Sequence, residues 1–469
     1  MTSILEGVTG VSDIIGYILV FLLTGAGIYL WIRTRGVSIR LIGESIKTIF
    51  GKTSRLSSNG KSITSFHAFC IGLGTRVGIG NITGVAIALV AGGPGAIFWM
   101  WLLAIISSIT SFVETTLGQI YKEKGSNGEF IGGLFFTIKN ALKKPKFAAG
   151  IAILSLLTYG ICTTGTFGST VTTSIVDLTG FPVWAVGLGI CLIVGIVVIG
   201  GIKRVAKVSS VVVPLMALAY IILAVIVICC NITAVPGVIA LIFSEAFSLK
   251  AGIGGLLGGA VIVGVQRGLF SNNGGDGSMT MISSTADVPH PVHQGLAQSF
   301  GVFIDTLVIC TATAFMILVG GEFLGLESGS TTLISSISSS GTVAVVASII
   351  LSVFIFIFSI TSMFGTFSMG EISLRFLMKN ERAITLAKVG ILVLVYILSI
   401  STMDVVWKLN DIAMGVHTII NVVIVLLLSK YALQALRDFE KQKKEGIKTP
   451  VFTKDALSKQ DGVTVWDKK

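Results

Sequence analysis

The chain alternates between long apolar runs and short polar or glycine-rich connections. Runs of the roughly 20 residues that cross a bilayer as one helix predict eleven spans. They are Val11–Ile32, Phe66–Val90, Ala96–Tyr121, Phe147–Val176, Pro182–Gly200, Ser209–Cys230, Gly252–Ser278, Gln294–Gly320, Val343–Phe367, Ala383–Ser401 and Val405–Leu428. Two of them are broken in mid-span by glycines and small polar residues. The first break reads Gly74-Thr75-Arg76-Val77-Gly78-Ile79-Gly80-Asn81, the second Gly268-Leu269-Phe270-Ser271-Asn272-Asn273-Gly274-Gly275-Asp276-Gly277. Unwound backbone at membrane depth persists only where protein buries it or where it lines a cavity. A matched pair of such breaks points to the binding site of a secondary transporter.

The broken spans are the second and the seventh, so each opens a group of five once the first span is set aside. One starts on each side of the membrane. This predicts an all-α integral membrane protein with one extra N-terminal helix and two five-helix units of opposite orientation, each starting with a discontinuous helix. The predicted division is 1–65 (extra helix and basic loop), 66–230 and 231–430 (the two units), and 431–469 (a charged tail).

Charge fixes the orientation. Arg33, Arg35, Arg40, Lys47, Lys52, Arg55 and Lys61 follow the first span, and alternate loops thereafter carry Lys122 to Lys146, Lys203 to Lys207 and Arg375 to Arg382. The other loops, at Gly92–Gly95, Asp177, Glu322 with Glu327, and Thr402, are nearly free of Lys and Arg, with Lys250 the exception. The positive-inside rule then puts the N-terminus outside and the C-terminus in the cytoplasm, in a plasma membrane. With 53% hydrophobic and 12% charged residues, the composition is that of a lipid-embedded chain, against about a quarter charged in soluble domains. The excess of 34 Lys+Arg over 23 Asp+Glu forms no basic face with interleaved aromatics, so no nucleic-acid partner is expected. The six cysteines lie inside apolar stretches without metal-site spacing. Glu6 and Asp13, with no preceding Lys or Arg, are the reverse of a signal peptide's start.

The chemistry sits in the breaks. Free N–H groups at a half-helix N-terminus favour a carboxylate, and free carbonyls favour a small cation, which is the pair of demands made by an amino acid and a coupling ion. Thr75, Asn81, Thr83, Ser271, Asn272 and Asn273 add neutral hydrogen-bonding groups. No strand or P-loop lysine accompanies Gly78-Ile79-Gly80, so a nucleotide loop is excluded. Arg76, Asp276, Asp305 and Asp411 are ionisable at membrane depth and are functional candidates on that ground. Arg76 suits an ion pair with one of these acids. Asp276 suits two roles, binding substrate, cation or proton, and capping the second half-helix. Glu114, Arg267 and Glu371 read as interfacial, and His290 with His293 lack the further ligands of a metal site.

These stretches resemble the alanine or glycine:cation symporters, also called sodium:alanine symporters. The resemblance rests on Gly74 to Gly84, Gly200-Gly201-Ile202-Lys203-Arg204 with Pro214-Leu215-Met216, Arg267 to Asn272, His290-Pro291-Val292 with Gln294-Gly295, Val302 to Leu307, and Trp407 with Asp411 and Asn421. It implies a leucine-transporter-type fold and uptake of small neutral amino acids, such as alanine or glycine, coupled to Na⁺ or H⁺, with no other cofactor. It places substrate at Thr75, Gly78, Gly80, Asn81, Thr172, Phe270, Ser271, Asn272, Asn273, Asp276 and Thr366. It places the cation between the carbonyls of Gly74 and Arg76 and the hydroxyls of Thr361 and Ser362.

The chain departs from the family pattern where Asn273 stands in place of a glutamate, where Asp276 is polar, at Thr172 and Ser174, and at Thr366 in place of a tryptophan. Shorter pocket side chains admit a larger or more polar amino acid, the alternative substrate. A non-transporting amino-acid sensor is the other alternative. A channel would need a carbonyl or charged ring, and none is legible. No nucleophile–base constellation indicates an enzyme.

Overall fold

The computed structural model describes residues 2–51, 60–247, 259–320 and 341–467. Lys52, Arg55, Lys250, Glu322, Glu327 and the start of the seventh predicted span, 252–258, lie outside the described residues. The fold is almost wholly helical. α1 spans Thr2–Thr34, and the short amphipathic α2 spans Ile42–Phe50. The first broken helix comprises α3 (Ser65–Arg76), a wide turn Gly80–Gly84, and α4 (Val85–Gly92), and is bent by 45°. Then come α5 (Gly95–Ile120), α6 (Leu134–Ala141), α7 (Pro145–Thr179), α8 (Val183–Val198), α9 (Ile202–Cys230) and α10 (Val235–Ala246). The second broken helix is α11 (Gly259–Asn272) and α12 (Ser278–Ser284). α13 (Pro291–Val319), α14 (Gly341–Leu377), α15 (Glu381–Ser399) and α16 (Met403–Lys444) complete the order.

Among the described residues, eight helices are long and apolar enough to cross a membrane, nine with the bent pair. α8 and α10 are apolar but shorter. α10 was not expected from the sequence, and α16 runs on to Lys444 instead of stopping at Leu428. Its last turns carry charges that end an apolar run but not a helix.

Local chemistry sets several starts. The Thr64 hydroxyl accepts the His67 N–H at 3.2 Å, the His290 ring accepts that of Val292 at 3.1 Å with Pro291 in the first turn, and Asn380 accepts that of Arg382 at 2.9 Å, each supplying an orphan helix N–H with an acceptor. Gly93 (φ +72°), Gly180 (φ +70°) and Gly201 (φ +75°) turn the chain between helices in the left-handed region.

Two small strand pairs tie one end of the bundle together. β1 (Ile63–Thr64) runs parallel to β4 (Ala286–Asp287), and β2 (Glu123–Lys124) antiparallel to β3 (Phe130–Ile131). On the same end Arg375 bridges to Glu129 (3.6 Å) and Glu381 (2.8 Å), and Lys388 to Glu371 (2.8 Å). This end carries the lysine-rich loops and is called the basic face below. α5 is buried along most of its length and lies against both broken helices, α1, α13 and α16. That position makes it the scaffold of the site.

Candidate functional site

Both expected breaks are present and they touch. After Arg76 the chain leaves the helix at Val77 (φ −71°, ψ 81°). Asn81 patches this gap, its side-chain oxygen accepting the Gly78 N–H at 2.9 Å. The second helix runs further than expected, through Asn272, and then opens over Asn273 (φ +50°), Gly275 (φ +99°) and Gly277 (φ +84°). Gly80 sits so near the second break that a Cβ there would stand 3.0 Å from the Ser271 Cα and 3.2 Å from the Phe270 ring. Glycine lets the two backbones approach this closely without displacing either.

Two side chains, Asp305 and Arg76, fasten the breaks to each other. The Asp305 carboxylate accepts the Asn81 side-chain N–H (2.7 Å) with one oxygen and the hydroxyls of Ser271 (2.8 Å) and Thr306 (3.0 Å) with the other. Arg76 Nε donates to the Asn272 carbonyl at 2.7 Å, Nη1 to the backbone and side-chain oxygens of Gln298 (2.9 and 3.0 Å), and Nη2 to Ser111 Oγ at 3.0 Å. The ion pair expected of Arg76 is not formed among the described residues. Its charge is solvated by neutral acceptors and lies at the C-terminal end of α11, where the helix dipole favours a cation.

Glu114, read from sequence as interfacial, is buried (1% exposed) and holds the second break. Its two oxygens accept the N–H groups of Gly275 (3.3 Å) and Gly277 (3.1 Å), and Asn421 donates to one of them at 2.7 Å. The expectation of bare dipoles is therefore corrected here, because a carboxylate of the protein already answers these donors. Asp276 is equally engaged, accepting Ser278 N–H (2.9 Å), Ser278 Oγ (2.6 Å) and Asn273 Nδ2 (2.7 Å). These are local Asx-turn contacts at the start of α12, whose N-cap position is Gly277. Its carbonyl accepts from Tyr159 (2.8 Å) and His417 (2.7 Å). Gln298, Tyr159 and His417 were missed in the sequence, and Glu114 was seen but assigned to the interface. Each lies within a predicted membrane helix, and only the fold shows that it points to a break.

Of the four residues expected around a cation, Ser362 bonds to Gly74, whereas the Thr361 hydroxyl turns back to its own helix. Ser362 Oγ donates to the Gly74 carbonyl at 3.0 Å, and the Thr361 Cβ lies 3.7 Å from where a Gly74 Cβ would stand. A Cβ on Gly78 would meet Ser362 Oγ at 2.2 Å and the Arg76 carbonyl at 3.7 Å. Thr361 Oγ1 donates back to Ile357 and Phe358 carbonyls, both at 3.0 Å. The donor set is all neutral oxygen, the set a hard monovalent cation takes.

Thr75 lies against Gly365, and Thr366 donates to the Ser362 carbonyl (3.0 Å) and pairs with Thr164 (2.8 Å). The Phe270 ring lies tilted against Trp407, centroids 4.7 Å apart, and the Trp407 Nε1 donates to Thr170 at 3.1 Å. Beyond it Arg267 pairs with Asp411 at 2.7 Å. Thr172 stands apart, its hydroxyl turned toward Gly187, 3.8 Å from where that residue's Cβ would be. Asn272 Nδ2 is buried with no partner among the described residues, an unmet donor beside both breaks.

Known proteins resemble this chain along most of its length. Residues 1–454 match the sodium:alanine symporter family. A probable sodium/glutamine symporter of Bacillus subtilis (strain 168) is 41% identical over 99% of this chain and 97% of its own length. A sodium/proton-dependent alanine carrier of Bacillus sp. (strain PS3) is 32% identical over 88% of this chain and 98% of its own. A crystal structure of MhsT in complex with L-phenylalanine superposes with TM-score 0.60 at 15% identity, covering 78% of this chain and 89% of that one.

Proposed function

We propose that this chain, which belongs to the sodium:alanine symporter family, couples the inward movement of a cation to uptake of a neutral amino acid by alternating access. The observation that carries the reading is the apposition of the breaks at Gly80 and Ser271, with Ser362 closing on Gly74 beside them. Na⁺ is held by Gly74, Arg76 (carbonyls), Thr361 and Ser362. The substrate carboxylate lies at the first break, near Gly78 and Gly80. The Asn272 amide, without an acceptor among the described residues, meets a polar group of the substrate. Thr75, Phe270, Asn273 and Thr366 complete the surroundings. The two five-helix units, the plasma-membrane location and the outward N-terminus belong to the same proposal.

The first reading of the substrate is a small amino acid, alanine or glycine. The larger, polar alternative is favoured by a specific observation, the short polar Thr366 beside the breaks, and by the 41% identical relative's description as a probable glutamine symporter. Uptake of labelled alanine, glycine and glutamine into proteoliposomes under an imposed Na⁺ gradient tests both. Saturable accumulation of one of them supports transport and names the substrate. Accumulation of none under any cation gradient refutes the function.

A further inference from the structure

A charged tail after the last span is expected to be solvated, yet here it is docked. Past Lys444 the chain turns back across the basic face. Phe452 N–H donates to the Pro289 carbonyl (3.0 Å), Lys454 N–H to that of Trp466 (2.9 Å), Thr464 Oγ1 to that of Lys122 (3.3 Å) and Trp466 Nε1 to that of Gln119 (3.0 Å). Phe452, Leu457, Val463 and Trp466 are all buried. Gly462 (φ +82°) comes so close to Asn140 that a Cβ would meet its carbonyl oxygen at 2.3 Å. An apolar and hydrogen-bonded seat of this kind marks a built contact.

What lies under it matters. β1 leads directly into the first broken helix and β4 follows directly on the second, so the β1–β4 pair joins the basic-face ends of both. Lys122, fully buried, grips that pair, its ammonium donating to the Ala286 carbonyl (2.9 Å) and to Gln119 Oε1 (2.7 Å). The same ammonium sits over the rings of Phe130 (4.0 Å) and Trp466 (4.8 Å), an attractive placement for a cation. The tail's last aromatic thus covers the lysine that holds the joint.

We propose that residues 447–467 are a strap across the basic-face gate, holding the ends of both broken helices together and slowing the opening of the site on that side. The inference rests on the alternating-access reading above. In such a cycle the half-helices must part on this face, and the contacts between tail and joint must loosen first.

The test uses the full chain, Trp466→Ala, and a truncation after Gly446, each reconstituted and assayed for substrate exchange and for thiol labelling of Ala286→Cys in the same background. Released straps are expected to raise the exchange rate severalfold and to speed labelling. As a second arm, Phe452→Cys with Pro289→Cys is crosslinked across the strap, with each single cysteine variant as control. Exchange is expected to stop and to return on reduction. Equal or slower exchange and labelling in monodisperse released variants, or full exchange in the crosslinked protein, overturns the strap. Failure of the unaltered chain to transport at all would instead count against the function.

Discussion

Arg76 ends the helix of the other break, its Nε donating to the Asn272 carbonyl at 2.7 Å from a side chain that is 1% exposed. Removing the guanidinium strands the acceptors of Asn272, Gln298 and Ser111. Buried hydrogen bonds to a charged group are worth about 1.5–3 kcal/mol each. Arg76→Met is therefore expected to lower the unfolding temperature and abolish uptake, while Arg76→Lys keeps one or two bonds and partial activity. Thermal unfolding in detergent and initial uptake rates check this. Wild-type behaviour of Arg76→Met would show that the breaks do not need this tie.

Glu114 is expected to act on the second break from outside it. Glu114→Ala leaves the N–H groups of Gly275 and Gly277 without their acceptor, a cost of about 1–3 kcal/mol per buried group. The expected result is lower stability and a raised substrate KM. Glu114→Gln keeps one acceptor oxygen and falls between the two. Equal KM values across the three proteins would contradict the assignment.

Ser362 is expected to control the cation more than the substrate. Ser362→Ala removes a hydroxyl from the oxygen set around Gly74 and should raise the Na⁺ concentration for half-maximal uptake, with substrate KM nearly restored at saturating Na⁺. Gly78→Ala, whose Cβ would stand 2.2 Å from Ser362 Oγ, should turn that hydroxyl away from Gly74 and weaken Na⁺ dependence in the same direction. Uptake measured over a matrix of Na⁺ and substrate concentrations separates the two effects.

Lys122 gives a pH signature outside the membrane. Burial pushes its ammonium down to about 7 from the ordinary 10.5. Between those values the unfolded chain binds more protons than the folded one, so this residue makes stability rise with pH through that window. The penalty for burying the charge is fully present below about 7 and gone above 10.5. Lys122→Met should flatten that rise in melting temperature, and an unchanged slope would place the charge elsewhere.

Legibility in the sequence followed the range of the forces. Spans and breaks are written in runs of neighbouring residues, so the apolar stretches and both glycine-rich interruptions could be located, as could the hydroxyls of Thr361 and Ser362 once the resemblance aligned them with the first break. The helix Val235–Ala246 was not, because Pro236 and Glu245 make its apolar run too short to read as a span. Gln298 and His417 were not seen either, and Glu114 was seen but read as interfacial. The partner of each is far away in the chain, 161 residues in the case of Glu114 and Gly275. The docked tail was hidden for the same reason. Its lysines advertise solvent, while Phe452 and Trp466 find their seat only after the fold has formed.

In the proposed function the two neighbouring breaks form a single site. A cryo-electron microscopy map of the protein with Na⁺ and its transported amino acid tests this most directly. The predicted result is substrate density touching both the Gly78–Gly80 backbone and the Ser271–Asn273 segment, with a cation between Gly74 and Ser362. Substrate density away from both segments, or a continuous helix through either one, would contradict it.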